Sequence, residues 1–277
     1  MNQKRLYQWV EEISKTWTGF SRHFQTNVEV FSRGVALSHS SQIRKIAGCV
    51  PGQSDSQRRR LQRFVQRDVS LSQFFTVWTR SVVSTLKDHR LVLVVDETKL
   101  KKQFGVMMVG MVYKGRCIPL AWRIYNANDR DAYPQEGQVK MILGLLQAIC
   151  DGLPAACQVR VLADRGIGTS PDLMRGIMAL GWTFLFRVTK QSKLILPDGQ
   201  EVTFYDQVTR PTQQYCASGT VFKQRGRLPG HVRVLWGKEA KERWALVTND
   251  ATLTGWEYAQ RMARLWIVLV VAYTWLL

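Results

Sequence analysis

Two aspartates follow stretches of sequence that are typical of buried β-strands. Asp96 comes after five branched apolar residues, 91–95, and Asp164 comes after the strand-like segment Gln158–Ala163. Short branched apolar runs predict strands that are buried on both faces. An aspartate at the end of each strand could point into a cleft, and carboxylate oxygens suit the hard cation Mg²⁺. The pair therefore predicts a shared divalent metal site; the alternative is that each aspartate only caps a turn.

The segments that must position these aspartates alternate between strands and helices. Strands predicted at 91–95, 104–112 and 117–124 are joined by short links, which indicates an antiparallel meander. The remaining elements are a helix at 135–150 after Pro134, a strand at 158–163, a helix from Ser170 to Gly181 and a strand at 182–188. The order βββαβαβ, with acids after the first and fourth strands, predicts an α/β fold with a ribonuclease H-like mixed sheet and flanking helices.

The chain is strongly basic. It carries a net charge of +18 with a pI of about 10.1, and its hydrophobic content of 45% argues against disorder. A polyanion is the natural partner of such a chain, and nucleic acid is the commonest one; a basic surface kept only for solubility is the alternative. Residues 1–90 contain 15 Lys and Arg against 6 Asp and Glu, which is half of the excess. Both halves are therefore expected to contact the anion.

Predicted helices at 54–67 and 70–88 form a basic pair with a tight link. Ser54 or Ser56 could cap the first helix, and Ser70 could cap the second. The apolar stripe of the first helix is Leu61, Phe64 and Val65, and its remaining surface carries Arg58, Arg59, Arg60, Arg63 and Arg67. Crowded arginines repel each other unless phosphates neutralise them. The pair therefore predicts a helix-turn-helix that contacts DNA; the alternative is a helical bundle with a solvated arginine face.

The remaining segments complete the predicted domain division. We expect a helical DNA-binding region at 1–90, a core made of 91–188 and 251–277, and a β-rich insertion at 189–250 before a last helix that begins at Thr254. Strands within the insertion are predicted at 193–196, 201–205, 220–224, 232–236 and 244–248.

The cysteines and the apolar C-terminal run indicate the compartment. The five cysteines are odd in number and include no Cys-x-x-Cys pair, which predicts reduced thiols in a cytoplasmic protein. The apolar run 265–277 is shorter than the roughly 20 residues that span a bilayer. It therefore predicts a core helix that has lost the elements that would pack against it, without stable membrane insertion; a membrane anchor is the alternative.

Four blocks of this sequence resemble a known family. They are Val-Val-Asp-Glu-Thr at 94–98, Leu-Ala-Asp-Arg-Gly-Ile-Gly at 162–168, Gly-Trp-Thr-Phe-Leu-Phe-Arg-Val at 181–188 and Leu-Val-Thr-Asn at 246–249. In combination they resemble the DDE transposases of bacterial insertion sequences. The specific subgroup carries a Tyr-Arg-Glu-Lys signature around its third acid and a β-rich insertion before that acid. The resemblance covers residues 91–262.

The resemblance implies an enzyme of cut-and-paste DNA transposition. Two Mg²⁺ ions would serve strand cleavage and transfer, one at the attacking hydroxyl and one at the leaving oxygen. Asp96 and Asp164 correspond to the first two catalytic, metal-binding acids, and Tyr258 and Arg261 correspond to the signature. The implied partner is double-stranded DNA at transposon ends, and a homodimer is compatible with the family. Basic residues that could hold DNA phosphates are Lys99, Lys101, Lys102 and Arg261; the alternative for the lysines is a solvated loop.

The signature departs from the family at its third acid. By the family spacing the Glu falls on Leu265 and the later Lys falls on Ala272. Glu257 belongs to a Thr-x-x-Glu capping box and lies about 12 Å of helix rise before the required position. The apolar switch that follows resembles a later family helix joined on after a truncation or an internal deletion. We therefore expect a catalytically impaired transposase; the alternatives are a DNA-binding or regulatory remnant, and a nuclease that takes its last acid from Glu239, Glu242 or Glu257.

Overall fold

The computed structural model describes residues 8, 11, 12, 15–100, 103–127, 134–223 and 226–252. The chain divides into two units, Met1–Leu86 and Lys87–Leu277. Residues named above that lie outside the described ranges are Lys101, Lys102, Thr254, Glu257, Tyr258, Arg261, Leu265 and Ala272, so the predicted last helix lies outside them as well. The apolar run 265–277 lies outside them too, and none of the helices that are described is long and apolar enough to cross a membrane.

Helices around two small apolar cores make up the described part of the first unit. The helices are α1 (Arg22–Ser38), α2 (Ile43–Cys49), α3 (Ser54–Val65) and α4 (Leu71–Val83). One core contains Trp17, Phe24 and Val77, and the other contains Ile46, Ala47 and Leu61. The second core joins α2 to α3, and both helices also pack against α1.

Serine caps begin two of these helices. The Ser21 hydroxyl accepts a hydrogen bond of 3.3 Å from the Phe24 N–H at the start of α1. At the start of α4, the Ser70 hydroxyl accepts a bond of 3.4 Å from the Gln73 N–H. Each bond satisfies a backbone donor that the first helical turn leaves without a partner. The predicted cap at Ser70 is confirmed.

The start of α3 differs from the prediction. Its N-cap residue is Gln53, whose side chain makes no capping bond, so the predicted cap at Ser54 or Ser56 is wrong. Gly52 turns the chain just before the helix at a φ of 106°, a conformation that glycine adopts without strain. The turn is closed by Gln57, whose Nε2 donates to the Pro51 carbonyl at 2.6 Å. The helix begins one residue earlier than a serine cap would allow.

The second unit contains a mixed sheet. Its first elements are β1 (Arg90–Leu100), β2 (Phe104–Tyr113), β3 (Arg116–Asn126), α5 (Gly137–Cys150), β4 (Gln158–Ala163), α6 (Arg165–Gly168), α7 (Pro171–Ala179) and β5 (Thr183–Arg187). They are followed by β6 (Lys193–Ile195), β7 (Glu201–Thr203), a 3₁₀ turn (Tyr205–Gln207), β8 (Gln214–Val221), β9 (Leu228–Leu235) and β10 (Trp244–Thr248). The described strands form one ten-stranded sheet in the order β3-β2-β1-β4-β5-β10-β9-β8-β6-β7.

The first five strands and their helices follow the predicted order. β1, β2 and β3 form an antiparallel meander, whereas β4 runs parallel to both β1 and β5. α5 packs against β2 and β3, and α7 packs against α5 and β5. α5 buries Ile142, Leu146 and Ile149 completely, at the spacing of one helix face. The predicted mixed α/β sheet with flanking helices is confirmed.

Residues 189–250 extend this sheet. β10 pairs antiparallel with β5 on one side and with β9 on the other, so the β-rich segment is continuous with the core strands. The predicted hairpin at 193–196 and 201–205 is present as β6 and β7. The predicted strand at 220–224 is misplaced, because β8 occupies Gln214–Val221. β8 is mostly half-buried or exposed, so its backbone pairing leaves no strong apolar pattern in the sequence.

Candidate functional site

Asp96 lies within β1 and not at its end. β1 continues to Leu100 because β2 pairs with it throughout this region, with Asp96 opposite Met108 and Leu100 opposite Phe104. The predicted strand end at residue 95 is therefore wrong. Backbone groups make the ladder, so it continues through polar side chains after the apolar run has stopped. As a consequence, strand pairing with β2 holds the backbone of Asp96 on one side, and its pairing with β4 ends one residue earlier, at Val95.

Asp96 and Asp164 each follow the last paired residue of two neighbouring parallel strands. The register of β1 with β4 ends at Val95 opposite Ala163; Asp96 is the next residue of β1, and Asp164 is the first residue after β4, still in an extended conformation. Neighbouring strands lie about 4.8 Å apart, and side chains at matched positions point to the same face. The structure therefore brings together the two acids that the sequence singles out.

Asp164 also caps the short helix that follows it. Its Oδ1 accepts hydrogen bonds from the Gly166 N–H at 2.9 Å and the Ile167 N–H at 3.1 Å, at the start of α6. Asp164 thus does cap a turn, and the cap uses only one carboxylate oxygen. The other oxygen, Oδ2, has no hydrogen bond within the described ranges. These bonds fix the orientation of the carboxylate and leave Oδ2 available to a cation.

The surroundings of Asp96 disfavour its ionised form. Burial raises the pKa of this carboxyl, although a hydrogen bond from the backbone N–H of Glu97 lowers it; the negative charges of Asp164 and Glu97 raise it further. Desolvation and like charges both penalise a carboxylate. A cation bound between Asp96 and Asp164 would relieve both penalties. A metal site without its metal has this feature, because its negative charges lack the cation that they would surround.

Cys117 forms part of the wall beside Asp96. Burial raises the pKa of its thiol to about 11, and the negative charge of Asp96 adds to the rise. The close packing depends on Gly110 of β2, because a Cβ at that position would overlap the Cys117 sulfur. The thiol therefore remains neutral at physiological pH and is a poor metal ligand there.

An ion-pair cluster lies next to Asp164. Ala163 pairs with Phe186, so Arg187 at the end of β5 stands beside Asp164. The Arg187 guanidinium donates to the Glu242 carboxylate, and Arg165 Nη1 lies 3.5 Å from Glu242 Oε2. The hydrogen bond from Arg187 lowers the pKa of Glu242, and the charges of Arg187, Arg165 and Lys190 contribute as well. Glu242 is therefore committed to two arginines and does not serve as a third metal ligand.

Glu97 and Lys99 lie on the opposite face of β1 from Asp96. Successive side chains of a strand alternate between faces. Glu97 accepts hydrogen bonds from the Tyr125 hydroxyl and from Gln138 Nε2, the latter at 2.8 Å. Lys99 is exposed two residues later. The structure thus places Lys99 away from the carboxylate pair, and Glu97 is available as a control for experiments on Asp96.

The described ranges bring together two candidate metal ligands, not three. Nowhere in those ranges do three His, Cys, Asp or Glu side chains form a group that could hold a metal ion. Glu239 is exposed on the loop between β9 and β10, and Glu242 is paired as described. Asp96 and Asp164 suit one Mg²⁺ ion that keeps several water ligands. The described donor set does not provide for a second ion.

The arginines predicted to bind DNA have different environments. Arg59, Arg63 and Arg67 are exposed, whereas Arg58 and Arg60 are half-buried. Arg58 Nε lies 3.5 Å from the Asp55 carboxylate, and Arg60 Nε donates to Asn27 Oδ1 at 2.6 Å. Two of the five side chains are therefore engaged within the first unit.

The sequence does not single out Arg187 and Asn249 as site residues. Arg187 directly follows the apolar residues Phe184–Phe186, as each aspartate follows an apolar run, and this is the signal that the sequence offers. Asn249 follows β10; its Oδ1 accepts from the Phe184 N–H at 2.9 Å and its Nδ2 donates to the Trp182 carbonyl at 3.1 Å. The amide thus fixes the start of β5, which gives a structural role to the last residue of the Leu-Val-Thr-Asn block.

Sequence comparisons with known proteins gave no match to this chain. No protein-family model matches the chain, and no curated protein matches it in sequence.

Proposed function

We propose that this protein is a DNA transposase in which Asp96 and Asp164 bind Mg²⁺ and which is catalytically impaired for lack of a third acid. The observation that carries the proposal is the placement of both acids directly after Val95 and Ala163, the last paired residues of β1 and β4. The raised pKa of Asp96, caused by burial first and by the Asp164 charge as well, supports it, because a cation would relieve this unfavourable pairing.

The topology and the charge support the same proposal. An antiparallel meander followed by two parallel strands is the arrangement expected of a ribonuclease H-like core, with Asp96 on β1 and Asp164 directly after the neighbouring strand β4. The net charge of +18 favours a nucleic acid partner. Fold resemblance alone would be weak support for function, so the acid pair is the essential element.

The chain's own residues account for the orientation of the site. The N–H groups of Gly166 and Ile167 hold one oxygen of Asp164, and strand pairing with Met108 of β2 holds the backbone of Asp96. A Mg²⁺ ion held by the two carboxylates would stabilise negative charge on phosphate oxygens of DNA. Arg165, which follows Asp164 and is half exposed, is the nearest cation in sequence to that position.

A non-catalytic DNA-binding remnant is the alternative function. It is favoured by the limited donor set of the described residues and by Leu265 at the family's third-acid position. The remnant would need the basic surface but no metal.

Calorimetric titration with Mg²⁺ separates these functions. We expect the full-length chain to bind Mg²⁺ with a Kd on the order of millimolar, because few charged ligands give weak sites. Asp96→Asn should abolish the binding heat. Glu97→Gln removes a carboxylate from the adjacent residue on the opposite face and should change the Kd by less than about threefold. Equal binding by Asp96→Asn would exclude this pair as the site, and no binding by any form would favour the remnant.

A further inference from the structure

The link between α2 and α3 has the features of a helix-turn-helix. Residues 50–53 join the two helices, and Gly52 adopts a φ of 106° within this link. Helix-turn-helix motifs have links of three or four residues that often contain glycine. The sequence predicts the motif in the next pair, α3 and α4, but α2 is the helix against which α3 packs most closely. The shared core of Ile46, Ala47 and Leu61 explains this difference.

α1 supports this pair as a third helix. Gly34 permits its close approach, because a Cβ there would overlap the Ile46 side chain and lie 3.1 Å from Val50 Cγ1. Arg60 adds a polar tie, since its Nε donates to Asn27 Oδ1 at 2.6 Å and Asn27 is only 3% exposed. The orientation of α3 relative to α1 is thus set by packing and by a hydrogen bond.

The outer face of α3 consists of Arg59, Gln62 and Arg63, and it is continued by Gln66, the C-cap residue that follows the helix. These four side chains are exposed, and their spacing of three and four residues places them on one side of the helix. Leu61, on the other side, is fully buried. The outer face therefore carries two arginines and two glutamines, in a helix whose other arginines, Arg58 and Arg60, are engaged with Asp55 and Asn27.

This combination of side chains suits the edges of base pairs. Arginine binds the O6 and N7 atoms of guanine, and glutamine binds the N6 and N7 atoms of adenine, both in the major groove. In a helix-turn-helix the second helix enters that groove while the first crosses the phosphate backbone. Two exposed cations, Arg44 and Lys45, lie in the first turn of α2, where phosphates would be contacted.

We propose that α2, its link and α3 form a helix-turn-helix that binds double-stranded DNA, with the outer face of α3 on base edges in the major groove and with Arg44 and Lys45 on phosphates. The proposal deepens the proposed function, on which its choice of DNA as partner rests. It assigns sequence preference to the outer face of α3 and general affinity to the start of α2.

The test uses the unmodified full-length chain in EDTA, without Mg²⁺. A library of duplexes with a randomised central segment is selected for binding, and the enriched duplex is compared with a scrambled duplex of equal composition by fluorescence anisotropy. We expect one enriched sequence, bound at least 10²-fold more tightly than the scrambled one. Because no metal is present, the outcome is independent of the carboxylate pair, and a failed magnesium titration would leave it unchanged.

Two sets of variants should separate base contacts from phosphate contacts. Gln62→Ala and Arg63→Ala should each reduce the preference for the enriched duplex by about tenfold while scarcely changing binding to the scrambled one. The double variant Arg44→Ala/Lys45→Ala should weaken both duplexes equally and reduce the log–log salt slope by about 2. Val65→Ala, a control at an exposed residue of α3 that lies off the outer face, should leave the preference unchanged within about twofold.

Two results would overturn the assignment. One is selection that returns no enriched sequence. The other is an equal loss for both duplexes in Gln62→Ala and Arg63→Ala, which would make α3 a phosphate-binding face only. Circular dichroism of each variant shows whether the helices persist; exposed alanine substitutions favour the helix, so a loss of binding with unchanged helicity reports on the contact itself.

Discussion

With Mg²⁺ present, the unmodified protein should bind a plasmid that carries the transposable element encoding it. It should leave the ends of that element uncut. Two-metal phosphoryl transfer requires enough anionic ligands to hold two cations together. The described residues supply Asp96 and Asp164. Leu265 occupies the position of the third acid in the family that this sequence resembles. The loss of one of three ligands should cost several kcal/mol of transition-state stabilisation, on the order of 10³-fold in rate or more.

The cleavage assay has a direct control in Asp96→Asn. Both forms should give end cleavage at the background level, while gel retardation shows that both bind the plasmid. Leu265→Glu should restore little, because a metal ligand needs supporting residues that position it. Robust Mg²⁺-dependent cleavage by the unmodified protein, abolished in Asp96→Asn, would contradict the expected impairment and direct the search for a third acid to Glu257 or Glu239.

Asp250→Leu should lower the free energy of unfolding by about 2–3 kcal/mol. Asp250 follows β10 and forms an ion pair with Arg160 of β4, the strand that leads to Asp164. The two side chains are only 24% and 14% exposed, so removal of one leaves a charge in a poorly solvated position. A fully buried pair broken in this way costs about 3–5 kcal/mol, and partial exposure reduces the figure. Urea denaturation of the full-length chain measures the loss.

The loss of stability caused by Asp250→Leu should become smaller at acidic pH. Burial raises the pKa of Asp250, but hydrogen bonds from Thr252 and the Arg160 charge outweigh burial and hold that pKa below its ordinary value of 3.8. A carboxyl whose pKa is lowered by folding stabilises the protein above its unfolded pKa, and the contribution is lost as the pH falls through the folded pKa. The difference between wild type and Asp250→Leu should therefore be constant near neutrality and shrink below about pH 4.

Two variants control the ion-pair prediction. Asp172→Ala removes the partner of Arg175 in an exposed pair on α7, with side chains 80% and 40% exposed, and should cost less than about 1 kcal/mol. The double variant Arg160→Leu/Asp250→Leu removes both charges and should recover most of the loss. If Asp250→Leu lowers the free energy of unfolding no more than Asp172→Ala does, the partly buried pair is no more stabilising than the exposed one.

The central strands were predictable because burial leaves a strong pattern. β1, β4 and β5 are surrounded by other elements, so their apolar runs are continuous, and Leu93, Val161 and Phe184 are fully buried. β8 lies toward the edge of the sheet and is held mainly by backbone bonds to β9, which any side chain permits. Its position could not be deduced from apolar periodicity, and this explains the misplaced strand at 220–224.

The acid pair was predictable, but its exact setting was not. Asp96 and Asp164 stood out because each follows an apolar run. That Asp96 lies inside its strand depends on pairing with Met108 of β2, a long-range contact that leaves no local signal. The pairing of Glu242 with Arg187 and Arg165 also joins residues distant in sequence, so only the structure removes Glu242 from the candidate ligands.

The helix pair in the first unit shows the same limit. Residues 54–67 carry an evident arginine cluster, and the link to the following helix is short. The preferred partner of α3 is nevertheless α2, because Leu61 fits the core formed by Ile46 and Ala47. Helix pairing depends on which apolar surfaces fit together, and periodicity in one helix does not specify its partner.

Iron-directed backbone cleavage would locate the metal itself. In this experiment Fe²⁺ replaces Mg²⁺, and hydroxyl radicals generated with ascorbate and peroxide cut the chain near the bound ion; Fe²⁺ binds oxygen ligands at least as tightly as Mg²⁺ does. If Asp96 and Asp164 form the site, cuts should fall close to both residues, excess Mg²⁺ should suppress them, and Asp96→Asn should abolish them while Glu97→Gln retains them. Cuts elsewhere, or cuts that persist in Asp96→Asn, would contradict the assignment of this carboxylate pair as the metal site.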